Sequence, residues 1–451
     1  MKRVLLVLPI LLTTAAVATA GGSAFNGPTT NRLSVKPNGK EVQGAASDFA
    51  AISGGGRYVV YESSGQLVGK DKDQAFDVYL YDRKRGENEL VSVDSASKPR
   101  GDVGCDAPDI SPSGRYVSFG CDGALANSDQ NGIEDVYRRD LKTQKTIVVS
   151  LTAAGAQLSG INDDSEISGV SSNGLVAWES LGEFVSGDSN DSRDIFVRNP
   201  EKETTVRASL ASSDAELPDG VGGPGPSKIS RIAISGDGRH VAFSSLDVAT
   251  TESDFGFIVD ADVFVRDLKR GTTIRASLKS NGSEADPDEN ADSYNPSISE
   301  DGRYVAFVAD GFAQLAGNDD NAFHDVYVRD TEKGKTTLVS LKSNGEGAVP
   351  TGFGPQYPEI SPNGRFVVWD TEFNFGGGKD RDENRDVYRH DTQTGKTVLV
   401  SLKANGGRAD TNQLADPANR GWVAFSSMGK LAGTPDDGND FDVFLRGPLS
   451  P

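Results

Sequence analysis

Histidine, cysteine, methionine and tryptophan are scarce in this 451-residue chain, at three, two, two and three residues. Two cysteines cannot build a Cys-rich zinc module, and they do not stand in the C-x-x-C spacing of a redox site. The three histidines, His240, His324 and His390, fall far apart at non-equivalent positions, so no shared histidine metal centre is expected. Basic residues are in deficit, with 46 Lys and Arg against 66 Asp and Glu and a formal net charge of −20. That balance argues against nucleic acid and anionic lipid as partners, because both need basic patches. No apolar run is long enough to span a bilayer comfortably. No long stretch has helical period, and no G-x-S-x-G elbow occurs that could mark an α/β-hydrolase domain.

Glycine, in contrast, is abundant at 52 residues, which implies many turns. Lys2 and Arg3 precede the apolar run Val4 to Leu12, and small residues follow up to Ala18-Thr19-Ala20. This is the plan of a secretory signal peptide, with cleavage expected after Ala20. No Cys follows that site, so a lipid anchor is not expected. The mature charge would be 44 − 66 = −22. Export permits a disulfide. Cys105 and Cys121 lie symmetrically about the turn Ser111-Pro112-Ser113-Gly114, so a hairpin there would bring them face to face.

Internal repetition dominates the rest. Ile52-Ser-Gly-Gly-Gly-Arg-Tyr-Val59 returns as Ile110-Ser-Pro-Ser-Gly-Arg-Tyr-Val117, Ile234-Ser-Gly-Asp-Gly-Arg-His-Val241, Ile298-Ser-Glu-Asp-Gly-Arg-Tyr-Val305 and Ile360-Ser-Pro-Asn-Gly-Arg-Phe-Val367. Worn copies lie at Val170 to Gly174 and around Leu414 to Val423. A second phrase keeps step: Asp77-Val-Tyr, Asp135-Val-Tyr, Asp194-Ile-Phe, Asp262-Val-Phe, Asp325-Val-Tyr, Asp386-Val-Tyr and Asp442-Val-Phe. The intervals are 58, 59, 68, 63, 61 and 56. Seven copies at one period mean an array of one supersecondary unit.

Each unit reads as four short strands rich in β-branched and aromatic residues. Strand A ends in Ile-Ser, strand B follows a Gly turn, strand C opens at the Asp, and strand D is expected at Thr337-Leu-Val-Ser-Leu341 and its equivalents. The fold class is therefore all-β, a seven-bladed propeller of four-stranded antiparallel blades. The last unit stops after strand C, while Asn31-Arg-Leu-Ser-Val35 looks like a surplus strand D. The N-terminal strand is thus expected to complete the last blade and close the ring. The domain plan is a signal peptide at 1–20, a short flexible segment at 21–28, one propeller at 29–447 and a tail at 448–451.

The phrase S-P-x-G-R-Y-V-x-F, with D-V-Y-x-x-D downstream, resembles the WD40-like repeats of the TolB-like propeller family over residues 29 to 447. That resemblance implies a propeller. Relatives include periplasmic proteins that act by binding and propeller domains attached to serine peptidases. TolB itself has fewer blades and an additional N-terminal domain, and neither fits here. The units are also longer than a compact blade of about 40–45 residues.

The extra length falls between strands B and C and between strand D and the next A, which puts long loops on one face, the usual place for binding. Five B–C loops fit D-x-[DN]-x-x-x-D: Asp71/Asp73/Asp77, Asp129/Asn131/Asp135, Asp188/Asn190/Asp194, Asp319/Asn321/Asp325 and Asp380/Asp382/Asp386. The seventh unit varies it as Asp436/Asp440/Asp442, and the fourth keeps only Asp254, Asp260 and Asp262. Alternating Asp and Asn in a tight loop can converge oxygens on a hard cation, so each loop is a candidate Ca²⁺ site. Equally, Asp and Asn cap turns by accepting nearby backbone N–H groups. Arg139, Arg198, Arg266, Arg329 and Arg446 recur on strand C beside an acid in several units, which suggests salt bridges between blades. The divergent Phe255–Val259 loop and the Gly220–Pro226 stretch mark the fourth unit as a candidate partner contact. The function expected is a non-enzymatic binding or scaffold role toward a protein, glycan or cell-envelope component, by a monomer. The rival is a secreted hydrolase or lyase with its site at the central channel, although no catalytic pair can be picked out among 66 acids.

Overall fold

The computed structural model describes residues 29–101, 103–159, 165–190, 192–217, 232–245, 261–285, 291–311, 313–317, 319, 321, 323–348, 352–376, 384–403, 407, 411–431 and 440–449, with backbone only at 165–168. These residues form seven four-stranded antiparallel sheets. Blade 1 is Ser47–Ile52, Tyr58–Ser63, Asp77–Asp82 and Glu87–Leu90, in the order A, B, C, D. Blades 2 to 6 repeat this order from Cys105, Ser165, Ala233, Ser293 and Gln356. Blade 7 takes Asn412–Pro417, Val423–Ser427 and Asp442–Gly447 from the C-terminal end and Thr29–Arg32 from the N-terminal end. Thr29 pairs with Gly447 and Arg32 with Phe444, so the ring is closed by hydrogen bonds between the two ends.

Strand D starts earlier than the repeats suggested, at Lys335–Leu338 rather than 337–341, and likewise at Thr29–Arg32. After Leu338 the chain turns away: Val339 N donates to Val326 O and Leu341 N to Val339 O. Val339 and Leu341 are apolar because they pack in the blade-to-blade interfaces and not because they extend the sheet; Val339 belongs to the core shared by blades 5 and 6, and Leu341 packs against that of blades 4 and 5.

The core lies between blades. Alternate side chains of one strand point to opposite faces. Val59 and Tyr61 therefore enter the cluster with blade 7, and Val60 the cluster with blade 2. Each of the other interfaces is filled the same way. Both faces of strands B and C are buried, which explains why they read as nearly unbroken apolar runs. The A–B turns need a left-handed residue, supplied for example by Gly114 at φ 70°. The Cys105–Cys121 disulfide crosses the blade 2 A–B hairpin, where the two residues are paired in register.

Of the salt bridges between blades expected for the strand C arginines, the described residues show one, at Arg266, and the acids that follow these arginines are engaged elsewhere. Asp82, Asp140, Asp267, Asp330 and Asp391 are clasped instead by Arg57, Arg115, Arg239, Arg303 and Arg365 of the A–B turn in the same blade. Arg139, Arg198, Arg329 and Arg446 do reach the preceding blade, but through backbone carbonyls such as Asp94 O, Thr152 O, Leu278 O and Leu402 O. Arg266 alone among them also finds a carboxylate, that of Asp214. Blade 6 has His390 at this position, bonded to Thr397, and burial pushes its pKa down to about 4.

Strand A holds a feature the repeats did not reveal. Its register slips in blades 1, 2, 3, 5, 6 and 7, and in five of these Phe49, Ala107, Asn295, Tyr357 and Leu414 take positive φ at the slip. The bulge lets Glu62 of blade 1 reach inward and accept Ala107 N at 2.9 Å. Burial, with Asp106 and Asp48 nearby, pushes the Glu62 carboxyl up to about 7. The folded state therefore binds a proton that the unfolded state releases above about pH 4.5, so this group costs stability as pH rises toward 8. Glu62→Gln keeps an acceptor and removes the charge. Its gain over the parent is expected to grow from below about 1 kcal/mol at pH 5 to about 3 kcal/mol at pH 8. Denaturant titrations at both pH values check this; an equal gain at the two would refute it.

Candidate functional site

Strands B and D run toward the same end of the molecule, so the B–C and D–A connections share one face and the tight A–B and C–D turns the other. At the loop face, every strand C opens with an Asp whose Oδ1 accepts a Ser hydroxyl from the residues after strand D: Ser92, Ser150, Ser209, Ser277, Ser340, Ser401 and Ser34. In all seven blades the same hydroxyl accepts the N–H of the next strand C residue, in hydrogen bonds such as Val78 N to Ser92 Oγ. This anchors the loop and leaves Oδ2 facing its interior.

In blade 1, Asp71, Asp73 and Asp77 offer carboxylate oxygens within 4.8 Å of one another. Asp71 also accepts Asp73 N and the Tyr79 hydroxyl, and Asp73 accepts Ala75 N. Burial pushes Asp77 up to about 7, with Asp71 and Asp73 adding to the shift. In blade 2, Gln157 Nε2 donates to both Asp129 and Asp135, Tyr137 donates to Asp129, and Asn131 turns to Leu158 O. In blade 5, Tyr327 donates to Asp319, and Asn321 donates to Asp325. In blade 6, Asp386 lies beside Asn412, while Asp380 and Asp382 fall outside the described residues. So do Asp436, Asp254, Asp260, the Phe255–Val259 loop and the Gly220–Pro226 stretch. Turn capping is thus present: Ile133, Ser192 and Phe323 also donate their N–H to the Asn two residues earlier.

Blade 3 is different in kind. Asp188, Asp194 and Glu216 converge, but Arg207 of strand D sits among them at 3.2, 3.1 and 2.7 Å. Asn190 turns away to Leu217 O. The guanidinium holds the half-buried Glu216 carboxyl at about 2, while burial and its neighbours keep Asp188 at about 7, since one cation serves three acids. Blade 4 repeats this with Arg275 against Asp262 and Glu284, and blade 7 with Arg32 against Asp442 and Glu41.

The division between blades follows a three-part code. Where strand D ends in Arg, the residue paired with it on strand C is Phe: Phe196–Arg207, Phe264–Arg275 and Phe444–Arg32. Where strand D ends in Leu or Val, the partner is Tyr: Tyr79–Leu90, Tyr137–Val148, Tyr327–Leu338 and Tyr388–Leu399. The third position, on the D–A loop, is Glu41, Glu216 or Glu284 in the arginine blades and Pro99, Gln157, Gly347 or Arg408 in the others. All three letters stand in the sequence, in D-V-F against D-V-Y and in T-T-V-R against K-T-V-L. Their connection is invisible until the sheet register brings them to one point.

The second concave feature lies on the axis. A cavity of about 220 Å³ is lined by strand A residues of all seven blades, among them Ile52, Ile110, Val170, Ile234, Ile298 and Ile360. Asp109, Glu359 and Asp416 also face it, without any basic residue in the lining. Asp109 accepts Val170 N at 2.8 Å and Asp416 accepts Ile52 N at 2.7 Å, each across to the next blade. Glu359 accepts the Ser297 hydroxyl at 2.6 Å. Burial pushes Asp109 up to about 6, with Glu359 adding to the shift. The three histidines do not meet: His240 is near Asp267 in blade 4, His324 bonds Tyr294 and Gln356, and His390 bonds Thr397. Among the described residues no helix is long and apolar enough to cross a membrane.

No family model matches the chain, and no characterised protein matches it in sequence. Solved propellers do match it in shape. The β-propeller domain of the Trilobed protease from Pyrococcus furiosus aligns with a TM-score of 0.52 at 9% identity, over 90% of this chain and 96% of that one. That domain is described as having an open velcro topology, whereas the present ring is closed by its N-terminal strand. TolB from Acinetobacter baumannii aligns with a TM-score of 0.36 at 15% identity, over 88% and 82% of the two chains. Acylaminoacyl peptidase from Pyrococcus horikoshii aligns with a TM-score of 0.49 at 12% identity; the match spans 91% of this chain and about half, 53%, of the peptidase. At these identities the likeness is one of fold.

Proposed function

We propose that this chain is an exported, monomeric, non-enzymatic binding or scaffold propeller that holds a protein, glycan or cell-envelope partner on its long-loop face. The observation that carries this reading is the commitment of the channel. Its walls are near-equivalent aliphatic residues, and its carboxylates accept backbone amides of the next blade or a neighbouring serine. Groups tied into the ring in this way support blade packing and are poorly free to act on a substrate. The loop side, in contrast, exposes Phe76, Phe323 and Phe353, the last to 68%. Aromatic side chains on a rigid loop face are the usual anchors of recognition. The buried Cys105–Cys121 disulfide and the N-terminal leader support export.

The rival reading, a hydrolase or lyase in the channel, is favoured by one observation: Asp109, with its raised pKa, faces the same cavity as Glu359. The two separate in one experiment. The chain beginning at Gly21 is assayed on chromogenic esters, peptides and glycosides, and its binding to glycan arrays and isolated cell-wall fragments is measured. No turnover is expected, together with saturable binding that Phe323→Ala/Phe353→Ala weakens at least tenfold. Turnover abolished by Asp109→Asn or Glu359→Gln would overturn the binding reading.

A further inference from the structure

We propose that the B–C loop of blade 1 is a site for one hard divalent cation of the Ca²⁺ class, held by Asp71, Asp73 and Asp77, and that in blades 3, 4 and 7 an arginine of the chain itself stands in that cation's place. Two independent observations carry this. The first comes from the sister blades. There the Asp equivalent to Asp77 has its Oδ2 against a guanidinium, at 3.1 Å from Arg207, 3.1 Å from Arg275 and 3.2 Å from Arg32. Strand D in blade 1 ends instead in Leu90, a side chain without charge, opposite Tyr79. The position that a positive charge fills three times in this molecule is thus left to something else in blade 1, where three acids remain.

The second observation is Asp77 itself. Its residue is 6% exposed. Its Oδ1 accepts the Ser92 hydroxyl, and its Oδ2 has no donor among the described residues. Yet its carboxylate lies within 4.8 Å of those of Asp71 and Asp73. A carboxylate on a residue this deeply buried, with one oxygen left without a donor among the described residues and set against two further carboxylates, calls for a cation. The donors are all oxygen, which selects a hard ion over a thiophilic or imidazole-seeking one. Tyr79 fixes the far oxygen of Asp71, so one edge of the site is already ordered.

The same reasoning removes blade 3 from the candidate Ca²⁺ loops. Its triad is as compact as that of blade 1, but Arg207 contacts all three members. In blade 2 the uncharged amide of Gln157 bridges Asp129 and Asp135 and stands at an intermediate point of the same series. The proposal does not depend on what the loop face binds.

The test uses the whole metal-free chain from Gly21. Ca²⁺ is titrated by calorimetry, and bound metal is counted after dialysis. Asp77→Asn is expected to lose one equivalent of Ca²⁺ relative to the parent, or to bind it at least tenfold more weakly. The triple variant Tyr79→Phe/Leu90→Arg/Pro99→Glu installs the arginine set in blade 1. It is expected to lose that same equivalent while melting in EDTA at least as high as the parent. Because the triple variant supplies its own cation, loss of Ca²⁺ there cannot be put down to unfolding. A parent that binds no Ca²⁺ at millimolar concentration would overturn the proposal, as would variants that bind as many ions as the parent.

Discussion

A chain beginning at Lys36 is expected to lose the cooperative unfolding transition of the chain beginning at Gly21. The deletion removes Thr29–Arg32, the fourth strand of blade 7, together with Leu33 and Ser34. Leu33 is 1% exposed and belongs to the core between blades 7 and 1, and its burial alone contributes about 2 kcal/mol. Arg32 pairs with Asp442, which is itself buried; removing one partner of such a pair costs about 3–5 kcal/mol. Asp442 also loses the Ser34 hydroxyl, and strand Asp442–Gly447 becomes an open edge. The sum reaches the whole stability of an ordinary domain, about 5–15 kcal/mol. Thermal unfolding followed by circular dichroism is the measurement, and a peptide spanning 29–41 added in trans is expected to restore the transition. A truncated chain that melts within a few degrees of its parent would show that the blades hold without closure.

Arg207→Leu should be the most damaging single substitution on the loop face. Leucine fits the position sterically, since Leu90, Leu338 and Leu399 occupy it in other blades. The cost is therefore electrostatic. Asp194 is fully buried and Asp188 nearly so, and both would lose their counterion. About 3–5 kcal/mol is expected at pH 7 in EDTA. The deficit should shrink on acidification toward pH 5, because burial already holds these carboxyls above the usual range and protonation removes their repulsion. It should also shrink in millimolar Ca²⁺, through binding to the folded state alone. Denaturant titrations under the three conditions give the answer. A loss below about 1 kcal/mol at pH 7 would mean that the guanidinium adds little to what water provides.

Much of this molecule was legible before any coordinates. The period near 60 residues, the four strands per unit and the surplus N-terminal strand are local patterns, repeated seven times. A blade packs mainly against its two neighbours, so a pattern read within one unit holds for all of them. The Cys105–Cys121 pairing was equally local, since a hairpin relates residues by their distance from its turn. The Asp triplets could be read as well, although the same letters serve a turn cap and a cation ligand.

The tertiary structure decided the rest, and the reason is distance. The bulges of strand A, which turn Asp109, Glu359 and Asp416 toward the axis and the next blade, leave no mark in the sequence, because strands such as Cys105–Ile110 and Gln356–Ile360 mix polar and apolar residues without a regular alternation that an extra residue could break. The strand C arginines looked like partners of the adjacent acids; the pleat sends the two to opposite faces, and the acids go to the A–B turn arginines instead. Above all, Asp188, Arg207 and Glu216 meet only when strand D lies against strand C and the D–A loop folds back over the B–C loop. Composition determines how many charges this protein carries. Only the fold decides which of them already have a counterion, and sets the triad at Asp188, Asp194 and Glu216 around Arg207 but the triad at Asp71, Asp73 and Asp77 beside a strand D that ends in Leu90.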